Sequence, residues 1–291
     1  MSVIVIAGPT ASGKTALGVK LAKELSGEVI SCDSMQIYKD LPICSAMPTR
    51  EETGGIPHHL MGFLDFNESF SVEEYRKLAE EKIRDIIARK KQPIMVGGTG
   101  MYFHYLIYEP DFAPKDEKAR ENLEKLSDSE LYEKYAAAGG ETVEKNDRKR
   151  LIRALEVLSA TGELPKKGER EKSKEFDFKM FCISPEREIL YDRINARVDR
   201  MFEQGLENEV RALFDKGATE KNQCVKAIGC RQMFEYFRGE ITLIEAKEKI
   251  KQESRRYAKR QLTWMRKEDA VWIDPAKCDP LTAVLNEIGQ R

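Results

Sequence analysis

The sequence predicts an α/β fold, a parallel sheet flanked by helices and interrupted by an all-helical insertion. Three observations predict it. The chain opens on a strand, a glycine-bearing turn, a helix and a second strand within residues 2–32. A long amphipathic helix then leads into another short apolar run at 93–96. Residues 115–160 are charged, rich in helix formers and free of strand signals, so they read as helices inserted into the sheet domain.

Taken in order, residues 2–7 (Val3-Ile4-Val5-Ile6-Ala7) are a short apolar run of buried-strand type. Gly8 to Thr15 form a turn. Over 14–26, Ala16, Leu17, Val19, Leu21, Ala22 and Leu25 recur at helical spacing, and Gly27 stops the helix. Val29-Ile30-Ser31-Cys32 is a second strand ending at Asp33, which completes the β-loop-α-β start of a parallel sheet. Ser71-Val72-Glu73-Glu74 is a capping box opening a helix to about Lys91, with Val72, Tyr75, Leu78, Ala79, Ile83, Ile86 and Ile87 on one face. Pro93 to Val96 is the next strand, followed by Gly97-Gly98-Thr99-Gly100, and 101–108 begin another helix. The character changes after Pro110. Residues 161–175 read as a polar loop, 179–184 return to a strand, and 186–216, 227–238 and 241–268 read as helices. Val271-Trp272-Ile273-Asp274 suits a last strand. The expected organisation is a core of 1–110 with 176–291 and a helical insertion over 111–175.

Composition narrows the function classes. Apolar residues make up 41% of the 291, enough for a real core. Charged residues reach 34%, with 49 basic against 50 acidic and a net charge of −1, so any RNA binding must come from a local basic face. Six cysteines without a C-x-x-C pair, and three histidines (His58, His59, His104), suit neither a disulfide scaffold nor a closed zinc site. The cysteines read as small buried side chains in a reducing compartment. The start has no basic n-region and no run approaches the ~20 apolar residues of a membrane span, so a cytoplasmic protein without a membrane partner is expected.

Gly8-Pro9-Thr10-Ala11-Ser12-Gly13-Lys14-Thr15 matches G-x-x-x-x-G-K-[ST] in the required strand-to-helix context, which makes the sheet P-loop NTPase-like. Backbone N–H groups converge there on phosphate oxygens at the positive end of a helix, Lys14 adds a cation, and the Thr15 hydroxyl suits Mg²⁺. The motif leaves open whether the ligand is a nucleotide. Asp33 lies at the carboxyl edge of the sheet, where it can accept a proton or hold a metal's water, or simply close an Asx turn. Thr99 faces the same edge, in a turn whose glycines permit close backbone approach. Two basic groups stand out. Lys251 to Lys267 holds seven basic residues against Glu253, with Arg255, Arg256, Lys259 and Arg260 near one side of a helix and Tyr257 and Trp264 interleaved. Arg148-Lys149-Arg150 with Arg153 lies on the insertion. Each is either a phosphate-backbone face or a solvated helix surface.

Together these segments resemble the tRNA dimethylallyltransferase (tRNA isopentenyltransferase) family. GPTASGKT (8–15), DSMQIY (33–38), PHHL (57–60), GGTGMYF (97–103), NDRKRLIRALEV (146–157), RVDRM (197–201), AIGCRQ (227–232) and RRYAKRQLTWMR (255–266) occur in the family's order along nearly the whole chain. The resemblance implies transfer of a dimethylallyl group from its diphosphate to the exocyclic N6 amine of the adenosine 3′ to the anticodon, position 37, in tRNAs reading codons that begin with U. The P-loop (Gly8, Pro9, Thr10, Ala11, Ser12, Gly13, Lys14, Thr15) would then hold an isoprenoid diphosphate, with Mg²⁺ on Thr15. Asp33, Thr10 and Arg197 would be catalytic. Asp33, Ser34, Met35, Gln36, Thr99, Arg120, Lys149, Arg150, Leu151, Ile152, Arg153, Lys226, Ala227, Ile228, Gly229, Cys230 and Arg231 would contact the tRNA anticodon stem-loop, with Thr99 and Gln36 bonding a flipped base. A monomer is implied.

The chain departs from the family pattern at Cys44-Ser45-Ala46-Met47-Pro48 in place of G-T-A-K-P, at Cys230 in place of tyrosine, and at Met61-Gly62 in place of Ile-Asp. These touch RNA contacts and leave Thr10, Lys14, Asp33, Thr99 and Arg197 intact. The competing readings are a P-loop kinase of small molecules, whose insertion would be a lid, and a non-enzymatic RNA-binding protein on the same fold.

Overall fold

The computed structural model describes residues 2–109, 116–165 and 171–289. The expected first residues of the insertion (111–115) and part of the polar loop (166–170) lie outside the described residues. The chain forms two compact units, residues 1–108 with 173–291, and residues 109–172.

In the larger unit the order begins β1 (Val3–Ala7), α1 (Lys14–Glu24), β2 (Gly27–Cys32), β3 (His58–His59), α2 (Val72–Ala88), β4 (Gln92–Gly97) and α3 (Gly100–Ile107). The smaller unit holds α4 (Glu117–Glu124), α5 (Asp128–Ala137) and α6 (Arg148–Thr161). The larger unit resumes with β5 (Phe178–Ile183), α7 (Arg187–Glu203), α8 (Leu206–Asp215), a 3₁₀ turn at Gln223–Lys226, α9 (Cys230–Phe237), α10 (Leu243–Met265), β6 (Val271–Ile273) and α11 (Pro280–Gly289).

The six strands are parallel, in the order β3-β2-β4-β1-β5-β6. All their carboxyl ends therefore lie along one edge. β1 and β2 are buried throughout; β1 reads as an apolar run without alternation for that reason, while β2 also buries Glu28 and Ser31. β4 separates them, with Gly97 opposite both Ala7 and Cys32. The turns that follow these three strands start from the same level of the edge. One sheet face is covered by α2, α3 and the later helices, where Tyr75 stacks on Tyr102 with ring centroids 3.8 Å apart. The other carries α1 and α11 over Ile4, Ile6, Ile94 and Val96.

Several elements differ from expectation, each for a local reason. Residues 186–216 are two helices, because Gly205 adopts φ 98° and turns the chain between them. The helix expected at 227 starts at Cys230, after Gly229 at φ 110°. Sequence periodicity missed β3, only two residues long, and α11. The start of α11 had a signal in Asp279-Pro280, where Asp279 Oδ2 accepts from the Thr282 N–H at 2.9 Å. The α2 capping box forms, with Ser71 and Glu74 bonding reciprocally.

The smaller unit packs Leu131, Tyr135, Leu151, Ile152 and Leu155 into its own core. Among the described residues no helix is long and apolar enough to cross a membrane.

Candidate functional site

The site is built at the carboxyl ends of β1, β4 and β2. After β1 the P-loop turns through two left-handed residues, Ala11 at φ 64° and Gly13 at φ 94°. A Cβ at Gly13 would meet nothing within 4 Å, so glycine there answers to the backbone angle. At Gly8 the demand is space, since a Cβ would lie 2.6 Å from Ser12 Oγ and 2.9 Å from the Ile183 carbonyl. Lys14 Nζ donates to the Pro9 carbonyl at 3.2 Å. From α7, Arg197 Nη1 donates to Thr10 Oγ1 at 2.9 Å. The structure thus brings together Thr10, Lys14 and Arg197 from segments far apart in sequence.

Among the described residues neither Lys14 nor Arg197 forms an ion pair. Burial first, and the neighbouring Arg197 second, press the Lys14 ammonium down to about 8. Burial also lowers Arg197. Asp33 acts in the opposite direction on both, and lines the same cavity. Glu52 also acts on Arg197 and lines the neighbouring cavity, but with neither cation held in an ion pair among the described residues the two desolvated charges leave room for added negative charge.

After β2, Asp33 Oδ1 accepts the Met35 N–H at 2.9 Å, which is an Asx turn. Oδ2 has no hydrogen-bond partner among the described residues. The turn holds the carboxyl group in place without using both of its oxygens. Thr99, in the turn after β4, accepts the Ser34 N–H on its hydroxyl at 3.0 Å. Burial raises the Tyr257 phenol.

A cavity of about 280 Å³ joins these parts. Thr10, Lys14, Thr15, Asp33, Ser34, Met35, Gln36, Arg197, Lys226, Ala227 and Ile228 line it, together with Tyr257, Arg260 and Gln261 of α10. A second cavity of about 680 Å³ shares Lys14, Thr15, Ala46, Arg197 and Met201 with the first and adds Arg193 and Arg200. The P-loop cations therefore stand where two cavities meet.

Other residues singled out from sequence sit differently. The Gln36 amide is not free to face a base: its Oε1 accepts from Ser31 Oγ at 2.9 Å and its Nε2 donates to the Ala46 carbonyl at 3.2 Å. It holds the loop that walls the cavity. The glycines after β4 make room for α10, not for a ligand. A Cβ at Gly98 would lie 2.1 Å from Gln261 Nε2, and one at Gly100 would lie 2.2 Å from Trp264. Cys230 is buried, its sulfur 3.8 Å from that of Cys44, while Arg231 is exposed at the start of α9. In the smaller unit, Leu151 and Ile152 are 0% and 5% exposed, so their side chains are core and cannot touch RNA. Arg120 and Arg153 both reach the buried Glu156, at 3.5 and 3.1 Å, and Arg150 pairs with Asp147 at 3.0 Å. Lys149 has no ion pair among the described residues. The basic stretch of α10 also divides: Arg255 donates to Asn195 at 2.5 Å, Arg256 pairs with Glu253 at 2.7 Å, and Arg260 lines the cavity.

Two functional positions escaped sequence reasoning. Gln261 is a buried polar residue on the stripe Ala258, Gln261, Met265 that turns α10 inward; an amide on an otherwise apolar stripe was the available signal. Glu209 in the first turn of α8 accepts the N–H groups of Ile43 (2.7 Å) and Cys44 (2.8 Å), fixing the cavity-wall loop, while burial raises its carboxyl group. Nothing in local sequence announces that contact.

A Mg²⁺ site must be judged from its donors. Among the described residues no group of three or more His, Cys, Asp or Glu side chains could hold a metal. Thr15 and Asp33 do line a common cavity of about 20 Å³. A hydroxyl and a carboxylate, with water and substrate phosphates, are the hard oxygen set Mg²⁺ takes, so these residues fit the ion.

The chain was compared with known proteins. The family model "IPP transferase" matches residues 36–268. A tRNA dimethylallyltransferase of Anoxybacillus flavithermus is 44% identical over 294 residues, covering 98% of this chain and 94% of the relative. The crystal structure of the full-length tRNA isopentenylpyrophosphate transferase of Bacillus halodurans superposes with a TM-score of 0.77 at 40% identity, over 99% of this chain and 95% of that one. A eukaryotic dimethylallyltransferase acting on tRNA superposes with a TM-score of 0.85 at 29% identity, over 99% and 80% of the two chains. The likeness extends through the P-loop and Asp33, which precede the family-model match. At that identity and coverage the chain belongs to the IPP transferase family.

Proposed function

We propose that this protein transfers a dimethylallyl group from dimethylallyl diphosphate to the exocyclic N6 amine of adenosine 37 in tRNAs that read codons beginning with U. The observation that carries the reading is the pair of unpaired cations, Lys14 and Arg197, sharing a cavity with Asp33.

In the reaction the C1–O bond of the prenyl diphosphate breaks and a bond from N6 to C1 forms. The N6 proton goes to Asp33 and the leaving electron pair to diphosphate. The amine is a weak nucleophile because its lone pair is delocalised into the ring, so a fixed carboxylate that orients it and takes its proton lowers the barrier. The Asx turn fixes Asp33 Oδ1, leaving Oδ2 for the proton. Negative charge grows on the departing diphosphate. Lys14, Arg197, Thr10 and the P-loop N–H groups receive it in a desolvated place, where such charge is worth most. Bound Mg²⁺, held by Thr15 with Asp33 beside it, would supply further neutralisation of the diphosphate charge. The larger cavity, with Arg193 and Arg200 on its wall, suits the diphosphate side. The wall of Ser34, Met35 and Lys226 to Ile228 suits the purine, which must leave its stack to reach N6 chemistry. Arg231 is exposed at the start of α9, and Lys149 offers exposed charge to RNA from the helical unit. The protein acts as a monomer.

The test is to incubate the protein with dimethylallyl diphosphate, Mg²⁺ and unmodified tRNA, then analyse the nucleosides by mass spectrometry. Isopentenyladenosine at position 37 is expected. No modified adenosine, together with ATP-dependent phosphorylation of a small molecule, would overturn the reading in favour of a kinase.

A further inference from the structure

We propose that Gln261 is a positioning residue for the transfer, one buried amide that locks the P-loop to the turn after β4. The inference rests on the function proposed above.

Gln261 is 5% exposed and still borders the site cavity. Both ends of its amide are used. Oε1 accepts the Thr10 N–H at 2.9 Å, and Nε2 donates to the Gly98 carbonyl at 2.9 Å. The space for this bridge is reserved by the chain itself, because any Cβ at position 98 would collide with Nε2. One turn earlier on α10, Tyr257 lines the same cavity. A single helix thus holds the P-loop and the turn after β4 together, through one polar side chain on its inward face.

The consequence for the P-loop is specific. The Thr10 N–H points to Gln261 and is withdrawn from the set available to phosphate. Position 10 therefore serves through its hydroxyl, which Arg197 engages. With its backbone pinned by Gln261 and its side chain held by Arg197, Thr10 is fixed from two sides. The bridging group must also be neutral. A carboxylate at 261 could still accept from Thr10, but it could not donate to Gly98, and it would add negative charge to the wall that Lys14 shares.

Two variants test this, Q261A and Q261E, each checked for folding by thermal melting. Binding of inorganic pyrophosphate with Mg²⁺ is measured by calorimetry at neutral pH, and prenyl transfer is measured as kcat and KM. In both variants pyrophosphate should bind about tenfold more weakly, with kcat reduced and tRNA affinity unchanged. Folded variants that bind pyrophosphate and turn over as the parent does would overturn the inference. So would a loss of melting temperature without change in pyrophosphate affinity or kcat. If Q261A does not fold, Q261E decides. Failure of the unaltered protein to modify tRNA would strike the proposed function instead, while the pyrophosphate titrations would still judge Gln261.

Discussion

The strand-edge site and the helical unit both carry clustered basic residues, and they treat them in opposite ways. In the helical unit Arg148, Arg150, Arg153 and Arg120 each meet a carboxylate, at Asp128, Asp147, Glu156 and Glu124. Those charges are largely settled within the unit. At the strand edge Lys14 and Arg197 have no such partner among the described residues, and burial lowers both. A sequence motif such as Arg148-Lys149-Arg150 looks like the stronger cationic site, yet the unpaired and half-buried pair carries the greater demand for an incoming anion. What separates the regions is the supply of nearby carboxylates, which a count of basic residues does not reveal.

The sharpest way to break this comparison is to remove the Asp33 carboxylate, which acts on both cations. Asp33→Asn should lower prenyl transfer by about 10²–10⁴-fold, read from modified nucleoside against time, with tRNA affinity nearly unchanged. Unaltered turnover would return Asp33 to the purely structural reading. Next, Lys14→Ala should weaken pyrophosphate binding by roughly 10- to 100-fold, in keeping with the loss of a charge-assisted hydrogen bond, while tRNA binding persists. Loss of both affinities together would indicate a damaged fold.

The pH response sharpens the same point. Lys14 titrates near 8 in the folded protein, against 10.5 when free. Between those values the unfolded chain holds the extra proton, so the penalty for burying the ammonium is complete below about 8 and fades as pH rises toward 10.5. Diphosphate reverses the sign by pulling the group back up. Its affinity should fall as pH rises through about 8, and binding there should take up a proton, visible in calorimetry repeated in buffers of different ionisation enthalpy. The smallest effects belong to the helical unit. Arg150→Ala should shift stability by no more than about 1 kcal/mol, because exposed pairs are worth little. Glu156→Gln should cost more, since Glu156 is 1% exposed and serves two arginines; amide exchange along α6 would rank the two.

What could be read from sequence was whatever depends on neighbours along the chain. The P-loop turn, the burial of β1 and β2 and the position of Asp33 at a strand end all follow from local pattern, because a glycine at φ 94° or a fully apolar strand leaves its mark within a few residues. Long-range contacts left no such mark. Gln261 meets Thr10 across 251 positions, and Glu209 caps the N–H groups of Ile43 and Cys44 from over 160 positions away. The same limit explains Leu151 and Ile152, which lie beside basic residues in sequence and on the inner side of a helix in space.

The place of β4 between β1 and β2 turns the sheet into a ruler. Two strand spacings, about 10 Å, separate the backbone that begins the phosphate turn from the backbone that begins the Asp33 turn. That span is set by main-chain ladders and is indifferent to the side chains around it. Redesigning the lining can change how firmly a donor and an acceptor are gripped. Moving the two grips apart, to suit a longer alkyl chain in line between them, would require a different order of strands.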